Sequence, residues 1–375
     1  MACQLEFNEN GKFDILLFGD LHENNDLSTP KRKAEVEDML LLMETSLKTL
    51  KPDLVVLLGD IFGASDKDEY REVFNRCLKP VFDRNIPLAY VNGNHDHEHE
   101  TSIYEMLEVF QEYENCIAFN ATADIENSIS YYATIKGSKD DTDKFNLWFI
   151  DSNNLAEDGD YDWVHDDQIE WYENTAKQLK NENDGLPLPA LLFQHMPVPE
   201  EYELLRPASL IERPVAVQGH GIRENTWYVL KEGVKGYLGE GPCPPSFNNG
   251  QFESWKKTGD ILGAFFGHDH MNDFEGFVDG IFLAQNKLAG FKPYTDGGRS
   301  GVRLITLDEG NPLTFSTEMF YFKDFGLKSK SLGPIESWLT DRQSVNLTKL
   351  RNAALGIVAV GAGIKLVSSI VKKRR

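Results

Sequence analysis

Five short apolar runs in this chain each lead directly into residues that can hold a metal ion. FDILLFG (13–19) leads into Asp20 and His22, DLVVLLG (53–59) into Asp60, and PLAYVNG (87–93) into Asn94 and His95. PALLFQ (189–194) leads into His195, and ILGAFFG (261–267) into His268 and His270. Runs of this length, bounded by turn residues, read as buried strands. Open α/β sheets place ligands in the crevice beyond the carboxyl ends of their strands, so five converging strands gather carboxylate, amide and imidazole at one spot. Oxygen and nitrogen donors without thiolate suit Mn, Fe or Zn. The donors are too many for one tetrahedral ion and enough for a pair of divalent ions that share a carboxylate.

Taken singly, each piece has an ordinary explanation. Gly-Asp after a strand is a turn, and a lone His195 is a core or surface histidine. The ordered set is different. D-x-H, GD, GNHD, a later His and GHDH, from Asp20 to His270, resemble the motifs of the calcineurin-like metallophosphoesterase superfamily. GHDHMNDFEG, QHMP and GGRSGVR further resemble its purple-acid-phosphatase-like type 28/29 branch. The resemblance implies an α/β fold of two face-to-face mixed β-sheets flanked by helices, a four-layer α/β/β/α sandwich. It also implies that Asp60 bridges two ions. Asp20, His22 and His270 would complete one site, and Asn94, His195 and His268 the other. In an extended segment His268 and His270 point the same way, so both can reach such a pair.

A dimetal pair generates hydroxide from water near neutral pH, neutralises phosphoryl charge and aligns the nucleophile for attack. The departing alkoxide then needs a proton. His95 is the candidate general acid, since it adjoins Asn94 and has no assigned metal. Asp96 follows it and can orient the ring. One departure stands out. Purple acid phosphatases carry a tyrosine ligand three residues after the bridging aspartate, where this chain has Gly63. No tyrosinate–iron colour is therefore expected. His97 and His99 read as a solvated turn. His220, Asn248, Asn249 and Arg299 are weaker candidates for substrate contact, and Trp148 and Trp163 read as packing residues.

The leading function is hydrolysis of a phosphate ester on a small molecule or a phosphoprotein. A phosphodiesterase or nuclease using the same site, or a non-catalytic scaffold, are the alternatives. The formal charge of −22 argues against a nucleic-acid partner, because phosphate backbones are bound through Lys and Arg. The four cysteines, Cys3, Cys77, Cys116 and Cys243, form no C-x-x-C pair or disulfide framework and read as buried or idle thiols. The N-terminus lacks the basic head and apolar core of a secretory signal, so a cytoplasmic location is the default expectation.

Helix-like spacing over 33–50 and 66–84, between the first three strands, predicts right-handed crossovers and a parallel sheet. Later strands over 128–135, 145–150, 261–267, 281–285, 302–307 and 313–322, with few helices between them, predict a second sheet, mixed or antiparallel. A catalytic domain is expected over 1–325. Within it, Pro-, Gly- and Asn-rich residues 196–260 read as loops forming a lid over the cleft. The remainder, 326–375, is a distinct tail. From Arg342 it carries eight basic residues and no acidic one. Its apolar run 353–371 approaches the roughly twenty residues a bilayer span needs, interrupted by Lys365. It reads as a membrane-associating helix, a docking helix or a disordered end.

Overall fold

The computed structural model describes residues 4–333 except 158, 295 and 296. The basic stretch from Arg342, read as a membrane-associating helix, a docking helix or a disordered end, lies outside the described residues. Among the described residues, no helix is long and apolar enough to cross a membrane.

The first three apolar runs form strands Lys12–Phe18, Leu54–Leu58 and Leu88–Val91. They pair in parallel, with Leu17 opposite Val56 and Leu57 opposite Tyr90. Parallel neighbours need crossovers, and the chain between them is helical. Pro30–Leu50 starts three residues before the expected 33. Thr29 caps it by accepting from the Arg32 N–H at 3.1 Å, and Pro30 supplies a first-turn residue whose missing N–H costs nothing. The single helix expected over 66–84 is instead two, Lys67–Cys77 and Lys79–Phe82. Pro80 sits at the start of the second, where it cannot continue the first helix's hydrogen-bond ladder. Gly301–Asp308 and Phe315–Tyr321 then add antiparallel strands beside Lys12–Phe18. The first sheet is therefore five-stranded and mixed.

The second sheet has seven strands. Leu5–Glu6, Tyr131–Lys136, Asp143–Ile150, Ala190–Gln194, Ile261–Phe266, Ile281–Gln285 and Glu275–Val278 lie in that order. Its central neighbours, from Asp143–Ile150 to Ile281–Gln285, are parallel, and Tyr131–Lys136 and Glu275–Val278 flank them antiparallel. Alternation along these strands fixes the layering, since successive side chains point to opposite faces. Phe145, Leu147, Phe149, Leu191, Phe193 and Phe265 enter the core shared with the first sheet. Trp148, Ile150, Ala190, Leu192, Ala264 and Phe266 face the other way. There they meet Tyr172, Ala176 and Leu179 of helix Asp166–Glu182, and Phe252 and Trp255 of helix Gln251–Thr258. Met39, Leu42 and Met43 of Pro30–Leu50, with Tyr70, Val73 and Phe74 of Lys67–Cys77, belong to the core of the first sheet. The four layers are helix, sheet, sheet and helix, as the family resemblance implied.

The sequence reading anticipated few helices among the later strands and missed Asp166–Glu182. It also read 196–260 as loops. The structure builds from that stretch a small antiparallel sheet, with Trp227–Leu230 between Leu205–Pro207 and Val217–Gln218, as well as helix Gln251–Thr258. Strands of two to four residues are too short to leave a readable alternation. At the far end, Asp38 accepts from the N–H groups of Lys330 and Ser331, both at 2.9 Å, which ties residues 329–331 to the first long helix.

Arg303 joins the two sheets. Its side chain is fully buried. It donates to Glu275 Oε2 at 2.5 Å, to the Gln285 carbonyl at 2.9 Å and to the Asp273 carbonyl at 3.2 Å. Removing one partner of a buried charged pair strands the other. Arg303→Met is expected to lose about 3–5 kcal/mol of folding stability in urea titrations. A loss within about 0.5 kcal/mol, the ordinary range of surface substitutions, would show that the inter-sheet contact is dispensable.

Candidate metal centre

The carboxyl ends of five strands, from both sheets, bring their donors together. The backbone there leaves the extended region. Asp20, His22, Asp60 and His268 have φ of 51°, 47°, 50° and 73°. This left-handed conformation costs energy for any residue but glycine, though Asp and His tolerate it better than most. Each kink turns a side chain inward just past its strand. Main-chain bonds hold the kinks in place: the His22 N–H donates to the Asp60 carbonyl at 2.9 Å, and the Glu23 N–H to the Ile61 carbonyl at 3.0 Å. Close approach also demands glycine. A Cβ on Gly93 would lie 2.2 Å from Asp60 Oδ1.

Asp60 is the centre of the cluster. Its Oδ2 lies 3.3 Å from His195 Nε2 and 3.5 Å from His22 Nε2, and its Oδ1 accepts the His95 N–H at 2.9 Å. Donor atoms of Asp20, His22, Asp60 and His270 lie within 4.8 Å of one another, as do those of Asp60, His195 and His268. Asp60 alone belongs to both groups. Four buried atoms at the centre have no hydrogen-bond partner: Asp20 Oδ2, Asn94 Oδ1, His195 Nε2 and His268 Nε2. Buried polar atoms are rarely left this way, and all four are atoms that ligate cations. His195 Nδ1 donates to the Leu58 carbonyl at 2.6 Å. That bond fixes the tautomer, so Nε2 presents a lone pair. The donor set thus fits two divalent cations, with Asp60 between them.

The electrostatics agree. Burial drives the imidazoles of His22 and His270 down to about 4 and about 3, which keeps them neutral as ligands must be. Burial alone would raise Asp60, but His195 and His22 hold it well below the usual carboxylate range. Burial would likewise lower His195, yet Asp60 outweighs it and lifts His195 to about 10.

Several sequence expectations need correction. The GHDH segment is not extended. His268 takes a left-handed turn, and its two histidines fall into the two separate groups. Asp96 does not orient His95. Its carboxylate is buried and accepts from the Ile61 and Gly93 N–H groups at 3.1 and 2.8 Å. Glu98 holds His95 instead, with Oε2 2.6 Å from Nδ1. The turn His95–His97 is a 3₁₀ helix, and on such a turn residues three apart meet. The His-x-x-Glu spacing was the available signal. His97 is not solvated either. It bonds Asp151 at 2.9 Å. His99 lines the cleft with His22, Asp60 and His95, and its ring lies 3.1 Å from where a Cβ on Gly63 would sit. Arg32 and Lys292 line the same cleft and were missed.

Of the weaker candidates, His220 packs near Tyr161, whose ring lies edge-on to His268 at 4.5 Å. Asn248 and Asn249 donate to Glu200 and to the Val164 carbonyl. Arg299 lies 3.5 Å over the Tyr237 ring and 3.8 Å from Asp273, occupied with protein partners. Trp148 is a core residue that donates to Asp260, and Trp163 packs on Phe247. The Cys243 sulfur lies near donor atoms of His268 and Asp269. Burial first, then Asp269, pushes its thiol up, so it stays protonated in this setting.

The model of the family described as calcineurin-like phosphoesterase matches residues 13–272. The chain belongs to that family. It is 28% identical over 333 residues to "Probable inactive purple acid phosphatase 29" of Arabidopsis thaliana, covering 81% of this chain and 79% of that protein. It is 26% identical over 291 residues to "Phosphatase DCR2" of Saccharomyces cerevisiae, covering 73% of this chain and 46% of that one. Among solved structures, a dimetal phosphatase from Danio rerio aligns with a TM-score of 0.47 at 12% identity, over 83% of this chain and 99% of that one.

The His97–Asp151 pair behind the centre makes stability depend on pH. Burial would lower His97, but Asp151 outweighs it and raises it; burial would raise Asp151, but His97 outweighs that and lowers it. The histidine's contribution is complete below its unfolded value of about 6.5 and is lost as pH rises through the raised folded value. The aspartate's contribution is present above about 3.9 and is lost as pH falls through the depressed one. The stability gap between wild type and His97→Gln in urea titrations should therefore be larger at about pH 6 than at about pH 9. Equal gaps would mean that the pair carries no net charge interaction.

Proposed function

We propose that this protein is a dimetal phosphoesterase that hydrolyses a phosphate ester, with His95 as general acid. The observation that carries the reading is the Asp60 carboxylate, buried and common to two ligand groups. When bound, a pair of divalent cations supplies Lewis-acid charge and an activated water for in-line attack at phosphorus. Mn, Fe and Zn all suit the donor set.

The chain's own residues do the rest. Asp60, Asp20 and Asn94 contribute oxygen donors, and His22, His195, His268 and His270 contribute imidazole nitrogens. Glu98 holds His95 through Nδ1, which leaves Nε2 as the nitrogen able to deliver a proton. The ring of His95 stands 5.3 Å from that of His22 and is half exposed, so a substrate can reach it. As the water oxygen bonds to phosphorus, the ester P–O bond breaks, and the leaving oxygen takes the His95 proton. A non-catalytic scaffold has no need for such a residue. The word "inactive" in a relative's name describes that relative. Phosphodiester substrates use the same chemistry, while a nucleic acid is disfavoured by the charge of −22.

Asp60→Ala should bind no more than one of the two ions that wild type holds under saturating Mn²⁺, measured by elemental analysis, and should lose activity. Wild type that never exceeds one ion per chain would overturn the dimetal reading. His95→Asn should keep both ions yet lose about 10²–10⁴ in rate, with the larger loss on alkyl esters, whose leaving oxygens need the proton most. An equal loss on aryl and alkyl phosphates would remove His95 from the acid role.

A further inference from the structure

Two cavities meet at His99. The cleft of about 270 Å³ over the metal centre is lined by His22, Asp60 and His95, and a larger basin of about 630 Å³ adjoins it. His99 lines both. An ester whose phosphorus sits at the metals would extend its leaving group into this basin.

The composition of the wall is one-sided. Glu100, Glu126, Asp162 and Asp167 line it, and no Lys or Arg does among the described residues. His165 is tied to Asp162 at 3.0 Å, and His97 to Asp151 at 2.9 Å. Among the described residues, Glu100, Glu126 and Asp167 have no Lys, Arg or His ion-pair partner. The adjoining cleft differs, since Arg32 and Lys292 stand in it. A second feature marks the basin as a ligand site. Thr101 lines it and is 1% exposed, yet its hydroxyl has no hydrogen-bond partner among the described residues. A buried hydroxyl left unpaired costs free energy that a ligand's polar group recovers.

The geometry points to a substrate whose leaving group carries positive charge, received in the basin between Glu100, Glu126 and Thr101 and entered past His99. This rests on the phosphoesterase reading and narrows it. Polyanionic leaving groups, such as a nucleoside diphosphate, are repelled by the wall. The chemistry is that of an ammonium- or guanidinium-bearing alcohol, whether a small amino-alcohol phosphate or a phosphoserine flanked by Lys and Arg.

The test compares four esters on the metal-loaded protein: p-nitrophenyl phosphate, phosphoethanolamine, a phosphoserine peptide flanked by lysines, and the same peptide flanked by glutamates. At least one cationic ester is expected to exceed the acidic peptide by about tenfold or more in kcat/KM. Which one does so separates a small-molecule source from a protein source. The double variant Glu100→Lys, Glu126→Lys should narrow or reverse the difference. Equal or reversed preference in the wild type, with p-nitrophenyl phosphate hydrolysed, would overturn the proposal and leave the phosphoesterase reading standing. Failure to hydrolyse any of the four would count against the phosphoesterase reading instead. Fluorescence anisotropy with the two peptides then decides the charge preference by binding, and equal affinities would overturn it.

Discussion

A carboxylate taken out of water between two imidazoles sets the terms for this molecule. Asp60 is 3% exposed, and an isolated charge so placed is untenable. Its compensation comes from both sheets. His22 follows a strand of the first sheet, and His195 and His268 follow strands of the second. The inter-sheet core therefore has a chemical task. If the sheets slide, the donors around Asp60 separate and the charge is stranded. Arg303, buried on the first sheet and bonded to Glu275 and the Gln285 carbonyl on the second, resists that slide.

The same carboxylate couples metal uptake to protons. Asp60 outweighs burial and holds His195 above the ordinary imidazole range, so a proton and a cation compete for the same nitrogen. Charge on a cation and charge on His195 are alternative ways of satisfying one buried anion. His22 and His270, already neutral through burial, need no such exchange. Their Nε2 atoms stand 3.1 Å apart, poised as a pair of lone-pair donors. The four kinked backbones at Asp20, His22, Asp60 and His268 fit the same account. Conformations of this kind cost about 1–3 kcal/mol each and persist only where surrounding structure over-determines them. Here fully buried strands on either side provide that constraint.

How much of this could be read from the sequence followed from the range of the forces involved. The strands were legible because buried parallel strands are near-continuous apolar runs. The donors were legible because each stands immediately after such a run, where ligands gather. The roles of Asp96 and Glu98 were not. They differ by two positions on one 3₁₀ turn, and only the turn's geometry decides that Asp96 faces the Ile61 and Gly93 amides while Glu98 faces His95. His97 was misread for a related reason, since its partner Asp151 is remote in sequence. The small sheet inside 196–260 was invisible because its strands are too short to carry a period.

Gly63 shows how one position can be legible in one sense and not in another. Its missing side chain could be read as the loss of a tyrosinate donor. What the space is for could not. A Cβ there would press on the ring of His99 at 3.1 Å, so the absence of a side chain at 63 lets His99 lie at the junction of the metal cleft and the acidic basin. Cations at the centre recognise a phosphoryl group and nothing beyond it. Under the proposed reading, discrimination between esters arises where the leaving group passes, in the cleft that Gly63 and His99 both line. A bulkier residue at 63 would displace His99 without touching a ligand. On this reading the chemistry and the selectivity of the site would rest on different residues of the same few turns.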